Sequence, residues 1–121
     1  MSAINMQSTY DRVRYYKINK PQKEALTKKI GAVLAKEKNI KAAWIFGSLT
    51  RGDSVRDIDI AVYSEPKLTF MEYLDLNAKI ELEVGIPVDM VDISAASQSL
   101  KENIFAIGIL IKGNKRFHLQ Q

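Results

Sequence analysis

The sequence contains no cysteine and a single histidine, His118. Disulfide bonds, thiolate zinc sites, histidine clusters for metal binding and a Ser-His-Asp triad are therefore excluded. The longest apolar run, residues 104–111, has eight residues, whereas a membrane-spanning helix needs about 20. No charged-then-apolar leader follows Met1, so we expect a cytoplasmic protein without a membrane segment. Any metal ion must be held by oxygen ligands.

The 121 residues carry a formal net charge of only +4, but acidic side chains are few at both ends of the chain and basic side chains are few in the middle. Residues 1–43 hold ten basic and three acidic side chains, residues 44–99 hold four and ten, and residues 100–121 hold four and one. A middle section rich in carboxylates between basic flanks has the electrostatics of a cation site that also receives a polyanion. The length is that of one domain.

Hydrophobic periodicity separates an N-terminal arm from one folded domain. Residues 1–20 mix polar residues with three tyrosines and show no sustained period, and Pro21 suits the first turn of a helix. We therefore predict an arm over residues 1–20 and a domain over residues 21–121. The arm interleaves basic and aromatic side chains, but a solvated arm is the simpler interpretation, and we expect no nucleic-acid partner.

Within the domain, helical and alternating apolar patterns follow one another. Two predicted helices cover residues 22–38 and 68–84, and a third, for which residues 94–99 offer N-caps, runs to about residue 106. The predicted strands cover residues 40–46, 55–63, 88–93 and 109–112. This order predicts an α/β (α+β) fold in which helices flank one small mixed sheet.

The helix predicted over residues 68–84 has two apolar stripes where one would suffice to pack on a sheet. The second stripe is either buried under neighbouring segments or contacts another subunit, which would make the protein a homo- or hetero-oligomer through this helix. One stripe consists of Met71, Leu74, Ala78 and Leu82, and the other of Tyr73, Leu76, Ile80 and Val84.

The segment most informative about function is residues 47–62, GSLTRGDSVRDIDIAV. Side chains two apart on a strand point the same way, so Asp57 and Asp59 should stand about 6–7 Å apart and repel each other unless a cation lies between them. With no His or Cys in reach, oxygen ligands select Mg²⁺ or Mn²⁺, and Mg²⁺ usually combines one or two carboxylates with substrate phosphates. The pattern therefore favours phosphate chemistry.

The Gly47-Ser48 turn before this strand suits an anion. Glycine lets the backbone approach a ligand closely, neighbouring N–H groups at a helix start attract negative charge, and Ser48 adds a hydroxyl donor. We interpret the turn as a cradle for a triphosphate.

These residues resemble the signature of the minimal nucleotidyltransferases (MNT) of the DNA polymerase beta superfamily, which is a Gly-Ser turn, an Arg-Gly pair three residues on and an Asp-x-Asp strand. The resemblance covers residues 22–115 and implies a polymerase-beta-like nucleotidyltransferase fold, with residues 21–121 as the nucleotidyltransferase domain. The loop between Arg-Gly and Asp-x-Asp is shorter here than in many relatives, and Arg56 stands where a serine is common. The matching residues are Gly47, Ser48, Arg51, Gly52, Asp57 and Asp59.

The resemblance adds a third carboxylate on a later strand, and Asp89 fits that place. Asp92 is the alternative, but it alternates to the other face of its strand, so only one of the two can meet the site. The resemblance then implies that Asp57, Asp59 and Asp89 are catalytic residues that hold two Mg²⁺ ions, with Mn²⁺ as an alternative metal.

The resemblance also implies the reaction. A hydroxyl attacks the α-phosphorus of ATP, and a nucleoside monophosphate is transferred with release of pyrophosphate. The Gly47-Ser48 backbone and the Ser48 hydroxyl would hold the β- and γ-phosphates, and Arg51 would either contact the triphosphate or brace the turn.

The acceptor follows from the family as well. Nucleotidyltransferases of this size are commonly paired with HEPN ribonuclease toxins, which they silence by attaching AMP to a tyrosine, so the resemblance implies an antitoxin with a HEPN partner. One alternative is nucleotidyl transfer to a small molecule or an RNA end. The other is a non-catalytic antitoxin that acts by binding alone, which Arg56 beside the carboxylates keeps open.

Overall fold

A computed structural model describes residues 16–50, 52 and 54–113. Its strands are β1 (Tyr16–Lys17), β2 (Ile40–Phe46), β3 (Ser54–Val55), β4 (Ile58–Ser64), β5 (Val88–Asp92) and β6 (Ile109–Lys112). Its helices are α1 (Lys20–Ala35), α2 (Phe70–Val84) and α3 (Gln98–Ile107), with 3-10 turns at Gly47–Thr50 and Ile93–Ala95.

The main sheet is mixed and has the strand order β5-β4-β2-β6. Strand β4 pairs antiparallel with β2 and parallel with β5, and β6 pairs antiparallel with the other side of β2. The two-residue strands β1 and β3 form a separate antiparallel pair. The predicted fold class, a small mixed sheet flanked by helices, is confirmed.

Local capping signals determine where the helices begin and end. Asn19 and Gln22 form a capping box that starts α1, with Pro21 in its first turn, and α2 ends at Gly85, whose φ of 72° is left-handed. The carboxyl end of α1 is anchored from the far end of the chain, since the Lys112 ammonium donates to the carbonyls of Leu34 and Glu37 at 2.8 Å each.

Alternating side chains on the strands create two cores on opposite faces of the sheet. On one face, Ile45 and Ile60 pack with Ile30 of α1 and Ile80 of α2. On the other face, α3 covers a smaller cluster in which the Trp44 ring meets the Phe105 ring edge-on, with centroids 5.4 Å apart. The two faces therefore have different cover, α1 and α2 on the first and α3 with the turn at Ile93–Ala95 on the second.

Some predicted bounds differ from the structure, since the helix predicted over residues 22–38 covers Lys20–Ala35 and the strand predicted over residues 55–63 is not continuous. The strand predicted over residues 55–63 is interrupted at Arg56 and Asp57, because Val55 pairs with β1 whereas Ile58 joins the main sheet and donates its N–H to Pro87 O at 2.9 Å. The N-cap predicted within residues 94–99 is confirmed, because Ser97 caps α3, which begins at Gln98 after the 3-10 turn at residues 93–95.

The second apolar stripe of α2 is not buried. The stripe that contains Leu76 and Ile80 packs in the core, whereas Met71, Leu74 and Leu82 are exposed. Of the two interpretations of this stripe, burial under neighbouring segments is therefore wrong for the structure described.

In the part of the chain that the structure describes, none of the helices has the length and apolar character that spanning a membrane requires. Most of the predicted N-terminal arm, residues 1–15, and His118 lie outside the described residues.

Candidate active site

The turn after β2 and the starts of β4 and β5 lie at one end of the sheet. Since β2 runs antiparallel to β4, the end of β2 adjoins the start of β4, and β5 starts beside it because it is parallel to β4. Asp59 is the register partner of Phe46 on one side and of Asp89 on the other. The sheet therefore brings the Gly-Ser turn and two of the three predicted acidic residues to one place.

Asp59 and Asp89 share one face of the sheet. Residues in register on parallel strands point the same way, and neighbouring strands lie about 4.8 Å apart. Both residues alternate with positions buried against α1 and α2, so their side chains belong to the α3 face, the face of Ala61 and Val91. Asp59 is half-buried and Asp89 exposed. Two carboxylates held this close repel each other, which favours a cation between them.

Gly47 lies directly against the Asp59 carboxylate. Its φ of 80° is in the left-handed region, which side chains other than glycine adopt at a cost. A Cβ at this position would overlap Oδ2 of Asp59 and lie 3.1 Å from its Cγ. Glycine is therefore required here for backbone conformation and for space, in addition to the close ligand approach predicted from the sequence.

The turn itself is closed by a residue that the sequence analysis missed. Thr50 donates its hydroxyl to the Gly47 carbonyl at 2.7 Å, which stabilises the 3-10 turn from within. Ser48 lies in this turn, so its backbone is next to Gly47. Arg51, predicted to contact phosphate or to brace the turn, lies outside the described residues. A threonine three residues after glycine is a common local pattern, and only the fold marks it as part of the site.

Asp57 precedes β4 and does not belong to its pleat. Its Oδ2 lies 3.7 Å from Nε of Arg56, and both side chains are accessible to solvent. An exposed ion pair of this length stabilises a protein by only about 0–1 kcal/mol. Another cation near Asp57 could therefore replace Arg56 at little energetic cost.

Asp92, the alternative third carboxylate, has a structural role on the other face of β5. Its Oδ1 accepts hydrogen bonds from the Ser94 N–H at 2.9 Å and the Ser94 hydroxyl at 2.6 Å, which caps the 3-10 turn. On that same face, burial raises the pKa of Tyr73, and the negative charge of Asp92 raises it further. Hydrogen bonding with the Ser64 side chain acts in the opposite direction and lowers this pKa. The Tyr73 hydroxyl is buried without a hydrogen-bond partner of normal geometry among the residues described.

Glu81 positions the start of β5. Its Oε2 accepts the Val88 N–H at 2.7 Å and the Asn77 amide at 3.3 Å, so α2 holds the residue immediately before Asp89. A hydrogen bond to a charged acceptor contributes about 1.5–3 kcal/mol. Nothing in the local sequence pattern indicates this contact, because Glu81 reads as an ordinary polar residue of an amphipathic helix.

The donor set at this end of the sheet fits a hard divalent cation. Asp59 and Asp89 offer carboxylate oxygens from adjacent strands. Asp57, two positions before Asp59 in the chain, offers a further carboxylate. Within residues 16–50, 52 and 54–113, no three His, Cys, Asp or Glu side chains already form a group that could hold a metal ion. Mg²⁺ commonly takes only one or two carboxylates and completes its shell with water and substrate phosphates, so a pair of aspartates suffices chemically.

Comparison with protein families gives a match to the family described as polymerase beta, nucleotidyltransferase, over residues 28–117. The matched range includes the Gly47–Thr50 turn, Asp57, Asp59 and Asp89. Comparison with curated proteins gave no match.

Solved structures share the fold. A toxin-antitoxin structure with AMP-PNP is 27% identical over 78% of this chain and 78% of the other, with a TM-score of 0.68. The toxin-antitoxin MntA-HepT is 23% identical over 80% of this chain and 78% of the other, with a TM-score of 0.65. The Shewanella oneidensis complex of a tri-AMPylated HEPN toxin with an MNT antitoxin is 23% identical over 81% and 84%, with a TM-score of 0.64.

Proposed function

Because the chain belongs to the polymerase beta nucleotidyltransferase family, we propose that it transfers AMP from ATP to a hydroxyl group of a protein partner. We further propose that the partner is a HEPN-type toxin and that this protein is its antitoxin. The observation that supports the proposal is the register pair Asp59 and Asp89 beside the Gly47 turn, which would place a cation site and an anion site at one end of the sheet.

The choice of nucleotide and partner is supported by the similar proteins. The 27% identical toxin-antitoxin structure contains AMP-PNP, an ATP analogue. The partner of the Shewanella oneidensis antitoxin is a HEPN toxin that carries three AMP groups. A small domain with the same fold is suited to the same class of reaction.

The proposed roles of the residues combine the described positions of the aspartates and Gly47 with the family resemblance. Asp59 and Asp89, with Asp57 beside them, would bind Mg²⁺, while the Gly47-Ser48 backbone, the Ser48 hydroxyl and Arg51 would hold the phosphates. Bound Mg²⁺ would supply charge neutralisation at the phosphates and a lower pKa for the acceptor hydroxyl. These residues would orient the acceptor oxygen for attack on the α-phosphorus. The bond from this phosphorus to the bridging oxygen breaks, pyrophosphate leaves, and the hydroxyl proton passes to water.

A labelling experiment tests this proposal. The protein is incubated with ATP labelled at the α-phosphate, Mg²⁺ and the purified product of the adjacent gene, and the labelled species is identified by gel electrophoresis and mass spectrometry. We expect AMP on the partner protein, loss of labelling in an Asp57→Asn, Asp59→Asn double variant, and near-normal labelling in Glu24→Gln, which changes an exposed carboxylate of α1 outside the site.

The outcomes separate the candidate functions. Label on a small molecule or an RNA end, with none on the partner, would replace the protein acceptor. A double variant that still neutralises the partner in cells would show that binding alone is sufficient, and the catalytic proposal would then fail.

A further inference from the structure

The amino-terminal half of α2 exposes large apolar side chains next to one another. Phe70 is 74% exposed, Met71 64% and Leu74 47%. These three residues are called the α2 patch below. Single exposed apolar residues are ordinary on protein surfaces, whereas a contiguous group marks an interaction site. They also lie at the start of a well-capped helix, so their exposure does not come from a frayed end.

A groove connects the α2 patch with the candidate active site. The groove has a volume of about 390 Å³, runs between α2 and β5, and is lined by Phe70, Leu74, Asp89 and Asp92 among others. Because the end of α2 contacts the start of β5, Phe70 lies toward the Asp92 end of the groove and Asp89 toward the other end. Strand β5 is at the edge of the main sheet, so this groove opens at the side of the molecule. Asp89 therefore belongs both to the groove and to the register pair with Asp59. A protein that covers the patch and the length of the groove would reach the catalytic end of the sheet at Asp89.

Charge indicates which kind of molecule covers the patch. The groove is lined by two carboxylates, Asp89 and Asp92, and by no Lys or Arg among the residues described, while Glu72 and Asp75 lie with Lys79 on the other side of α2. Lys79 lies 3.6 Å from Glu37, at the opposite side from β5. Two copies of this chain packed through α2 would bring acidic rims together, and a basic partner would meet them with opposite charge.

We infer that the α2 patch and the α2-β5 groove are the docking surface for the acceptor protein, which presents an apolar surface with a rim of lysine or arginine. The inference rests on the proposed function for the identity of the acceptor. Docking here delivers the acceptor hydroxyl along the groove to Asp89, while ATP occupies the Gly47 turn. The surface thus determines which protein is modified.

A pair of substitutions at one position tests both the apolar contact and the charge. Leu74→Lys and Leu74→Glu remove the same apolar side chain and differ in sign, and Ile107→Lys is a matched control on α3, where Ile107 is 45% exposed. Binding to the purified product of the adjacent gene is measured by calorimetry. We expect Leu74→Lys to weaken binding by about tenfold or more, Leu74→Glu to weaken it less, and Ile107→Lys to leave it unchanged, with normal thermal unfolding in all three.

Further outcomes distinguish the surface from the chemistry. The Asp57→Asn, Asp59→Asn variant should bind like the wild type, because it leaves the patch intact. If wild-type protein transfers no AMP but Leu74→Lys still loses binding, the proposed function fails and the docking surface stands. If both Leu74 variants bind and are active like the wild type, the docking surface is overturned. A dimer of this chain in sedimentation experiments that Leu74→Lys dissociates would also overturn it, since the patch would then serve a second copy.

Discussion

Gly47 and Asp59 are packed so closely that the glycine has no room for a side chain, because a Cβ there would overlap Oδ2 of the aspartate. The contact links the turn that follows β2 to the start of β4. The anion-binding and cation-binding halves of the proposed site therefore depend on one another, and the first prediction follows from this dependence.

Gly47→Ala should impair both stability and transfer. A residue other than glycine at a φ of 80° costs about 1–3 kcal/mol. In addition, a displacement of Asp59 by about 1 Å would lower the transfer rate about 100-fold. Thermal unfolding and the α-phosphate labelling assay measure the two effects. Gly52→Ala is the matched control, because nothing lies within 4 Å of a Cβ there. Wild-type stability and activity in Gly47→Ala would contradict the prediction.

Asp89→Asn should change stability and activity in opposite directions. Without a bound cation, the like charges of Asp59 and Asp89 stand in register on adjacent strands, and removing one should stabilise the protein by about 0.2–1 kcal/mol. The same substitution removes a carboxylate ligand, so AMP transfer should be largely lost. Urea unfolding in the presence of a chelator and the labelling assay test the two parts. A destabilised but active variant would show that the pair is not the metal site.

Arg56→Ser should lower the Mg²⁺ concentration needed for half-maximal transfer. Arg56 lies beside Asp57 in an exposed ion pair, so its positive charge competes with Mg²⁺ for that carboxylate. Stability should change by only about 0.5 kcal/mol. A Mg²⁺ titration of the transfer rate measures the effect, with Arg56→Lys as the control that keeps the charge. An increased Mg²⁺ requirement in Arg56→Ser would show that the arginine supports the site.

Tyr73→Phe should remove part of the loss of stability at alkaline pH. Burial, followed by the charge of Asp92, raises the pKa of Tyr73 above its ordinary value of 10.0. Above pH 10 the unfolded chain therefore loses this proton while the folded chain keeps it, so folding stability falls as pH rises. Below pH 10 the two proteins should differ by only about 1 kcal/mol or less, because the buried hydroxyl has no hydrogen bond of normal geometry to the residues described.

Urea unfolding of both proteins at pH 7, 9 and 10.5 tests this dependence. The difference between their unfolding free energies isolates Tyr73, since the other titrating groups are common to both. A difference that stays constant across this range would show that the folded-state pKa of Tyr73 is not raised.

Much of the fold is encoded locally. The strands at residues 40–46 and 109–112 were predicted with correct bounds, and the end of α2 at Gly85 was predicted from one glycine. Patterns over a few residues suffice there because apolar periodicity and capping depend only on neighbours in the chain. Arg56 and Asp57 were misassigned to a strand because their alternation is strand-like, and pairing with β1 and β5 decides where the strand breaks.

The candidate site shows the same division. The sequence alone predicted the pair Asp57 and Asp59, the Gly-Ser turn, the oxygen-ligand chemistry and the resemblance to nucleotidyltransferases, because these depend on residue types at short spacing. Only the tertiary structure places Asp89 in register with Asp59 and Gly47 in contact with the Asp59 carboxylate. It also makes Asp92 the cap of a 3-10 turn and leaves the α2 patch exposed beside the groove. Strand order and register arise from contacts between residues distant in the chain, and no local pattern specifies them.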